Sequence, residues 1–165
     1  MNLIVAVDAK GAIGRGNELL DHFSCDLKKF KELTINKVVV MGKNTFLSLP
    51  NHPLPNRTNI VLSSSMEEGE NYIVCHNLDE LFTMLDNYND EDVFVIGGES
   101  IYSLLFPYCN RFYITKILKI YDGADKFFKE INELSTLKKD MHIKNWESTQ
   151  ENGVILDFFI YERDI

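Results

Sequence analysis

The chain has 165 residues and a mass of 19.1 kDa, which is the size of one ordinary domain. Its residues are 45% hydrophobic and 25% charged, a balance typical of folded globular proteins and not of disordered chains. Because 25 Asp and Glu outnumber 17 Lys and Arg, the net charge is −8, which argues against nucleic acid and acidic membrane surfaces as partners.

Short apolar runs of strand length recur along the chain. They lie at 3–7, 38–41, 60–62, 72–74, 93–96, 112–117 and 154–161. The early runs are apolar at consecutive positions, as expected of central strands that helices cover on both faces. The strand signals after residue 112 follow one another closely, which indicates an antiparallel end to the sheet.

Helical periodicity fills the segments between these runs. Leu27, Phe30 and Leu33 form an apolar stripe after Ser24, which we expect to be the N-cap of that helix. Two more stripes consist of Leu78, Leu81, Phe82 and Leu85, and of Ile101, Leu104 and Leu105 before Pro107. The sequence therefore predicts one α/β domain, 1–165, with a mixed, mostly parallel twisted sheet of about eight strands flanked by about four helices.

The spacing of cysteine and histidine predicts neither a disulfide framework nor a metal site. Cys25, Cys75 and Cys109 are odd in number and far apart, and the four histidines show no metal-ligand spacing. No apolar run approaches the roughly 20 residues of a membrane span, and the amino terminus lacks a basic leader. We therefore expect reduced thiols, no metal and a cytoplasmic location.

Three loops follow strands at the edge where α/β sheets bind ligands. The loop 8–17 lacks Gly-x-Gly-x-x-Gly spacing, and the segment 42–45 lacks the glycine and hydroxyl residue of a P-loop. Even so, the glycine turns at Gly42 and at Gly97-Gly98 precede helices, whose free N–H groups favour anions. Taken singly, the first loop fits a ligand site and a mobile loop equally, and the two glycine turns fit an ordinary strand-to-helix turn better than a ligand site.

In order along the chain, these segments resemble the dihydrofolate reductase family. The resemblance rests on Leu-Ile-Val-Ala-Val at 3–7, Ile13-Gly14, Asn17, Asp26-Leu27, Phe30-Lys31, Thr34, Asn36-Lys37, Val40-Met41-Gly42-Lys43, Thr45-Phe46, Ser48-Leu49, Pro53-Leu54-Pro55-Asn56-Arg57, Asn59 to Ser63, Val95-Ile96-Gly97-Gly98, Tyr113-Ile114-Thr115, Ala124-Asp125 and Phe127-Phe128. The match is collinear and covers nearly the whole chain. Single fragments are weak signals, but the ordered set is specific.

The resemblance implies hydride transfer from NADPH to carbon 6 of dihydrofolate with protonation of the adjacent nitrogen, which yields tetrahydrofolate for one-carbon metabolism. Asp26 would be the catalytic acid of the pterin pocket and accept two hydrogen bonds from the ring system. Its position in the first turn of a helix is equally compatible with an acid that only interacts favourably with the helix dipole. Thr115 would support Asp26, and Arg57 would bind the substrate's α-carboxylate. The other implied substrate contacts are Ile4, Val5, Leu27, Phe30, Leu49, His52, Leu54 and Ile96.

The implied NADPH site has three parts. The nicotinamide would lie against Ala6, Ile13, Gly14, Arg15, Gly16, Asn17 and Glu18. The diphosphate would meet the helix starts at Gly42, Lys43, Asn44 and Thr45 and at Ile96, Gly97, Gly98, Glu99, Ser100, Ile101 and Tyr102, with a cis peptide between the paired glycines. Lys43 and Ser64, with Leu62, Ser63 and His76 nearby, would contact the adenosine end and its 2′-phosphate. The resemblance further implies a monomer that binds antifolate-type small molecules.

The tip of the first loop departs from the family pattern. Family members usually have Leu-Pro-Trp there, and this chain has Leu19-Leu20-Asp21. We expect Asp21 to point to solvent and to alter loop closure or proton delivery. Turnover would then be lower, or its pH profile shifted. The alternative is that Asp21 is a second catalytic acid. Ser24 replaces a common proline, and Lys31 is expected to be the only cation near the Asp26 turn.

Two other functions compete with this interpretation. One is the related reductase that acts on a pyrimidine sugar intermediate in riboflavin synthesis. The other is a nucleotide-binding module that has lost catalysis, which the missing tryptophan keeps open. Asp26 together with Arg57 favours folate, because these residues match pterin and glutamate chemistry.

Overall fold

Parallel strands built from the apolar runs form the centre of the computed structural model, which describes residues 1–138 and 140–164. The strands are β1 (Asn2–Val7), β2 (Ala12–Arg15), β3 (Glu18–Leu19), β4 (Val38–Gly42), β5 (Thr58–Leu62), β6 (Ile73–Cys75), β7 (Val93–Gly97), β8 (Arg111–Ile117), β9 (Lys126–Phe127), β10 (Met141–Glu151) and β11 (Val154–Arg163). The α-helices are α1 (Ser24–Thr34), α2 (Lys43–Ser48), α3 (Leu78–Leu85), α4 (Glu99–Leu105) and α5 (Ile131–Ser135). The predicted domain, 1–165, includes Lys139 and Ile165, which lie outside the described residues.

Eight strands form the main sheet in the order β10-β11-β8-β1-β7-β4-β5-β6. The pairings from β8 to β6 are parallel, whereas β11 runs antiparallel to both β8 and β10. The predicted mixed sheet of about eight strands and its antiparallel end are confirmed. The described residues form five α-helices where about four were predicted, because α5 is a short helix of five residues and shows no apolar stripe.

A second, three-stranded sheet in the order β3-β2-β9 orders the loop after β1. The Phe128 N–H donates to the Gly11 carbonyl at 2.8 Å, and the Asp125 N–H donates to the Gly14 carbonyl at 3.1 Å. This segment therefore contains paired strands, where the sequence left open an ordinary mobile loop. Its order comes from backbone bonds to residues more than 100 positions away, which have no local sequence signal.

Side chains of the central strands alternate between two cores. Val38 and Val40 of β4 face one core, which includes Leu81 of α3 and Leu105 of α4. Val39 and Met41 face the other, with side chains of α1 and α2 packed around them. Helices thus cover both faces, as the apolar runs predicted. None of the helices in the described part of the chain is long and apolar enough to cross a membrane.

The prediction that Ser24 is the N-cap of α1 is wrong. Phe23 occupies the N-cap position and makes no side-chain cap bond, and Ser24 is the first helical residue. The first N–H groups of α1 donate instead to the carboxylate of Glu151, the last residue of β10. A distant carboxylate has replaced the local cap that the sequence pattern indicates.

Candidate active site

The carboxyl ends of three adjacent parallel strands bring the predicted site segments together. β1, β7 and β4 are neighbours in the sheet, and Met41 pairs with Gly97 at the end of β7. Ala6 in β1 pairs with Thr115 of β8 on the other side. The glycine turns, the start of the first loop and Thr115 therefore lie along one edge, where ligands bind in sheets of this kind.

Asp26 lies in the first turn of α1 with its side chain half-buried and facing β8. The Thr115 hydroxyl donates to Asp26 Oδ1 at 2.7 Å. Burial raises the pKa of Asp26, and the Thr115 bond and the charge of Lys29 oppose that rise. The prediction that Lys31 is the only cation near this turn is wrong, because Lys29, one helical turn after Asp26, is the cation that acts on it.

An apolar wall lies beside this carboxylate. Four of the predicted substrate residues pack against the second core, namely Ile4, Leu49, Leu54 and Ile96. Phe30 is half-buried and Leu27 is 44% exposed, so the wall includes apolar surface that is open to a ligand. The Val5 side chain lies in the first core, on the opposite face of β1 from Ile4, so the structure does not bring it to the wall.

The loop before β5 is held rigid by a buried asparagine. Asn59 accepts from the Leu54 N–H and donates to the Leu54 carbonyl, both at 2.9 Å. Arg57 lies in this loop with Cζ 5.9 Å from the centre of the Phe30 ring. Its Nε is buried and has no hydrogen-bond partner among the described residues, and burial lowers the pKa of Arg57. His52 folds back on the loop, with Nδ1 2.9 Å from the Leu49 carbonyl oxygen.

The two glycine turns touch each other closely. A Cβ atom at Gly42 would lie 2.9 Å from Ile101 Cγ1, and one at Gly98 would lie 3.3 Å from Thr45 Oγ1. The predicted cis peptide between Gly97 and Gly98 is present. A side chain at Gly42 would require Ile101 to shift, and one at Gly98 would crowd Thr45, so the two turns pack closely and α2 and α4 begin side by side with their first N–H groups at the same edge.

Several predicted cofactor residues use their side chains within the protein. The Tyr102 hydroxyl lies 2.8 Å from the Ile4 carbonyl oxygen and 2.9 Å from that of Ile96, and can donate to either. Glu99 accepts from the Phe127 N–H at 2.6 Å, and the Ile101 side chain is buried. These three residues can meet a ligand through their backbone groups.

The adenosine end of the predicted site follows the sheet order β4-β5-β6. Lys43 and Ser64 are exposed, and the half-buried Leu62 and Ser63 come at and after the end of β5. His76 follows β6, but its Nε2 lies 3.0 Å from the Met66 carbonyl oxygen and its Nδ1 lies 3.4 Å from Glu80. Because Glu80 brings a negative charge to this ring, Lys43 is the stronger candidate for a phosphate contact.

The first loop is bound to the segment after β8. The Gly16 N–H donates to Asp125 Oδ1 at 2.8 Å, and Arg15 donates to the Asp122 carbonyl at 3.2 Å. Asp21 is exposed, as expected, but its carboxylate accepts from the Tyr121 hydroxyl at 2.8 Å. This bond lowers the pKa of Asp21, so its carboxyl carries no proton to donate at neutral pH. The geometry disfavours Asp21 as a second catalytic acid.

Sequence reasoning missed four side chains that build this site: Lys29, Asn59, Tyr121 and Glu151. Asn59 lies inside a segment, 59–63, that matches the family pattern, and this match is the one signal in the sequence that points to it. Tyr121 and Glu151 act across more than 90 residues of chain, and no local pattern indicates them. In residues 1–138 and 140–164, no cluster of three or more His, Cys, Asp or Glu side chains has the arrangement of a metal site.

Comparisons with known proteins give one consistent result. A family model described as dihydrofolate reductase matches residues 1–163. The dihydrofolate reductases of Bacillus subtilis (strain 168) and Drosophila melanogaster are 35% and 34% identical to this chain, and the alignments cover 99% and 98% of it and 94% and 97% of those proteins. The solved structure of dihydrofolate reductase from Enterococcus faecalis complexed with NADP(H) and RAB-propyl has a TM-score of 0.86 and 33% identity, covering 99% of this chain and 96% of that one.

The family match spans the segments on which the sequence-based prediction rests. It confirms the predicted fold class and the oxidoreductase activity. The reductase of riboflavin synthesis and the inactive module are not favoured. The chain belongs to the dihydrofolate reductase family.

Proposed function

We propose that the site at this sheet edge reduces 7,8-dihydrofolate to 5,6,7,8-tetrahydrofolate with NADPH as the hydride donor. The observation that carries the proposal is the half-buried Asp26 carboxylate, held by Thr115 at the edge of an open apolar wall. One carboxylate in such surroundings recognises a flat, apolar ring that carries adjacent N–H donors.

The substrate lies with its pterin ring between Asp26 and the apolar wall. Asp26 accepts from the 2-amino group and a ring nitrogen, and Leu27 and Phe30 cover the ring and the aminobenzoate. Arg57 binds the α-carboxylate of the glutamate tail, which gives its buried, unpartnered Nε the acceptor that the described residues do not provide. The remaining substrate contacts that we propose are Ile4, Leu49, His52, Leu54, Ile96 and the backbone of Val5.

NADPH, when bound, supplies the hydride that reaches carbon 6. The touching glycine turns at Gly42 and Gly97-Gly98 fit this group, because they open the backbone at two helix starts beside an exposed lysine, Lys43. Lys43 contacts the 2′-phosphate together with Ser64, and Ala6 and the loop 13–18 flank the nicotinamide. The predicted residues at 62–63, 96–102 and 42–45 complete the contacts.

Asp26 and the apolar wall set the conditions for proton uptake at the nitrogen next to carbon 6. The wall excludes water, which lowers the local dielectric constant. The charge of the Asp26 carboxylate therefore has a stronger effect on the proton affinity of the ring. Thr115 keeps the carboxylate aimed at the ring by its hydrogen bond to Oδ1. The chain itself contributes placement, charge and exclusion of water to this step.

The cellular compartment, the partners and the oligomeric state of the protein are also part of the proposal. Cys25, Cys75 and Cys109 are free thiols, which suits a reducing cytoplasm. The net charge of −8 disfavours nucleic acid as a partner. We propose a monomeric enzyme whose one domain comprises 1–165 and whose pterin pocket also takes antifolate-type small molecules; the monomer rests on the family resemblance alone.

The decisive assay follows the near-ultraviolet absorbance of NADPH after dihydrofolate is added. We expect a loss of absorbance that needs both the protein and dihydrofolate. Binding of both ligands without oxidation would support a module that has lost catalysis. Oxidation with a pyrimidine sugar phosphate instead of dihydrofolate would support the reductase of riboflavin synthesis.

A further inference from the structure

The amino terminus of α1 is capped by a carboxylate from the far end of the chain. The Ser24 N–H donates to Glu151 Oε2 at 2.8 Å, and the Cys25 N–H donates to Glu151 Oε1 at 2.9 Å. The Ser24 hydroxyl adds a third bond to Oε1 at 3.0 Å. One side chain thus satisfies two of the four N–H groups that a helix start leaves free.

The β10–β11 hairpin determines where this carboxylate lies. Glu151 is the last residue of β10 and pairs with Val154, and the turn between them is Asn152-Gly153. Both turn residues have positive φ, 52° and 76°, as a tight two-residue hairpin turn requires. The pairing of β10 with β11 and the tight turn therefore place the Glu151 carboxylate beside the amino terminus of α1.

The capped turn is the turn that carries Asp26. Asp26 follows Cys25 directly, and its own N–H donates to the Phe23 carbonyl at 3.1 Å. We propose that Glu151 is a positioning residue for dihydrofolate reduction: its carboxylate fixes the first turn of α1, and with it the place and the electrostatic surroundings of Asp26. This inference rests on the proposed function of Asp26.

Charged and polar groups from each neighbouring element face Asp26. Thr115 of β8 donates to it, Lys29 lies on its own helix, and Glu151 approaches from β10. The buried Tyr102 hydroxyl of α4 also lies within the range of its charge. The negative charge of Glu151 raises the pKa of Asp26, and the Thr115 bond lowers it. Removing either group therefore shifts the titration of Asp26, and in opposite directions.

The test compares the pH dependence of kcat/KM for dihydrofolate in three variants. Glu151→Gln keeps an acceptor oxygen and removes the charge, so we expect the limb of the profile that reflects Asp26 to move to lower pH by about 0.3–0.5 unit. Thr115→Val removes a bond that favours the ionised form, and we expect the limb to move to higher pH. Glu32→Gln is the matched control, because Glu32 is an exposed carboxylate on the same helix and does not act on Asp26; its profile is expected to match the parent.

A second measurement distinguishes the effect of Glu151 on the position of the first turn of α1 from the effect of its charge on Asp26. In Glu151→Ala we expect the Ser24 and Cys25 amides to exchange with solvent faster and KM for dihydrofolate to rise, and Glu151→Gln should retain most of the protection. If Glu151→Gln loses activity equally at every pH, or its limb coincides with the parent's, Glu151 is only a structural cap and the inference is overturned. A parent protein that does not oxidise NADPH with dihydrofolate would refute the proposed function itself, which is a different outcome.

Discussion

The environment of Asp26 decides what its carboxyl can do. At the start of a solvated helix, an aspartate simply complements the helix dipole. Here the side chain is half-buried beside apolar residues, and burial raises its pKa while the Thr115 hydroxyl holds one oxygen. A carboxyl whose pKa is raised toward the working pH is suited to chemistry that involves a proton.

Asp26→Asn is expected to lower kcat/KM for dihydrofolate by about 10²–10⁴ at neutral pH, the usual scale for a placed acid–base group. The amide keeps an oxygen for Thr115, so the fold should be retained, and circular dichroism of the variant checks this. The limb of the pH profile that reflects Asp26 should also disappear. Activity within a few-fold of the parent would contradict the role of Asp26.

Lys43→Ala is expected to weaken binding of NADPH by about tenfold or more, because a charge-assisted contact to the 2′-phosphate is lost. Binding of NADH, which has no such phosphate, should change little. Titration calorimetry with both dinucleotides measures the difference, and Lys144→Ala, in the edge strand β10 and far from β4 in the sheet order, is the control. Equal losses for the two dinucleotides would show that Lys43 does not read the 2′-phosphate.

At the scale of elements, the first loop is anchored by a residue that departs from the family pattern. Asp21 stands where the family usually has tryptophan, and it bonds Tyr121 in the segment after β8. Gly16 and Asp125 make a second bond between the same two segments. We infer that Asp21 contributes to holding the loop and contributes nothing to stacking near the pterin.

Asp21→Trp is expected to raise turnover or to shift its pH profile, since it restores the aromatic side chain and removes the Tyr121 bond. Tyr121→Phe removes the same bond and leaves Asp21 in place, so it isolates the effect of the fastening. Steady-state kinetics over a range of pH provides the measurement. Unchanged turnover and pH dependence in Asp21→Trp would count against the effect of this position.

The cap between β10 and α1 predicts an acid-sensitive contribution to stability. Hydrogen bonds from Cys25 and Ser24 lower the pKa of Glu151 to about 2, below its ordinary value of 4.5. Because the folded pKa is depressed, this stabilisation is complete above pH 4.5 and is lost as the pH falls toward 2. The melting temperature of Glu151→Gln should lie below the parent's at neutral pH and approach it near pH 2. A gap that stays constant across this range would contradict the assignment.

Elements with a local pattern were predictable from the sequence, and contacts between distant segments were not. The apolar runs predicted β1, β4 and β7, because each strand is buried on both faces. The stripe at Leu27, Phe30 and Leu33 predicted α1, but its cap is Glu151, 127 residues beyond Ser24. Likewise, β2 and β9 pair across more than 100 residues, and neither shows an apolar run.

The whole molecule carries a charge of −8, yet both of its proposed ligands are anions. Net charge argues against polyanions as partners, but attraction for a small ligand depends on the groups within a few ångströms of it. The sheet order places Lys43 and the two helix starts at the carboxyl ends of the parallel strands, and Arg57 lies at the amino end of β5. These local positive features offset the acidic surface. Sequence alone indicated these residues one by one, and the parallel sheet explains why Lys43 and the two helix starts act together.

The measurement that tests the central proposal most directly is the stoichiometry of the reaction in the parent protein. With dihydrofolate limiting and NADPH in excess, we expect one NADPH to be oxidised for each tetrahydrofolate formed, with the deuterium of a deuterated nicotinamide found on carbon 6. Binding of both ligands with no tetrahydrofolate formed, or oxidation of NADPH without transfer of the label to carbon 6, would contradict it.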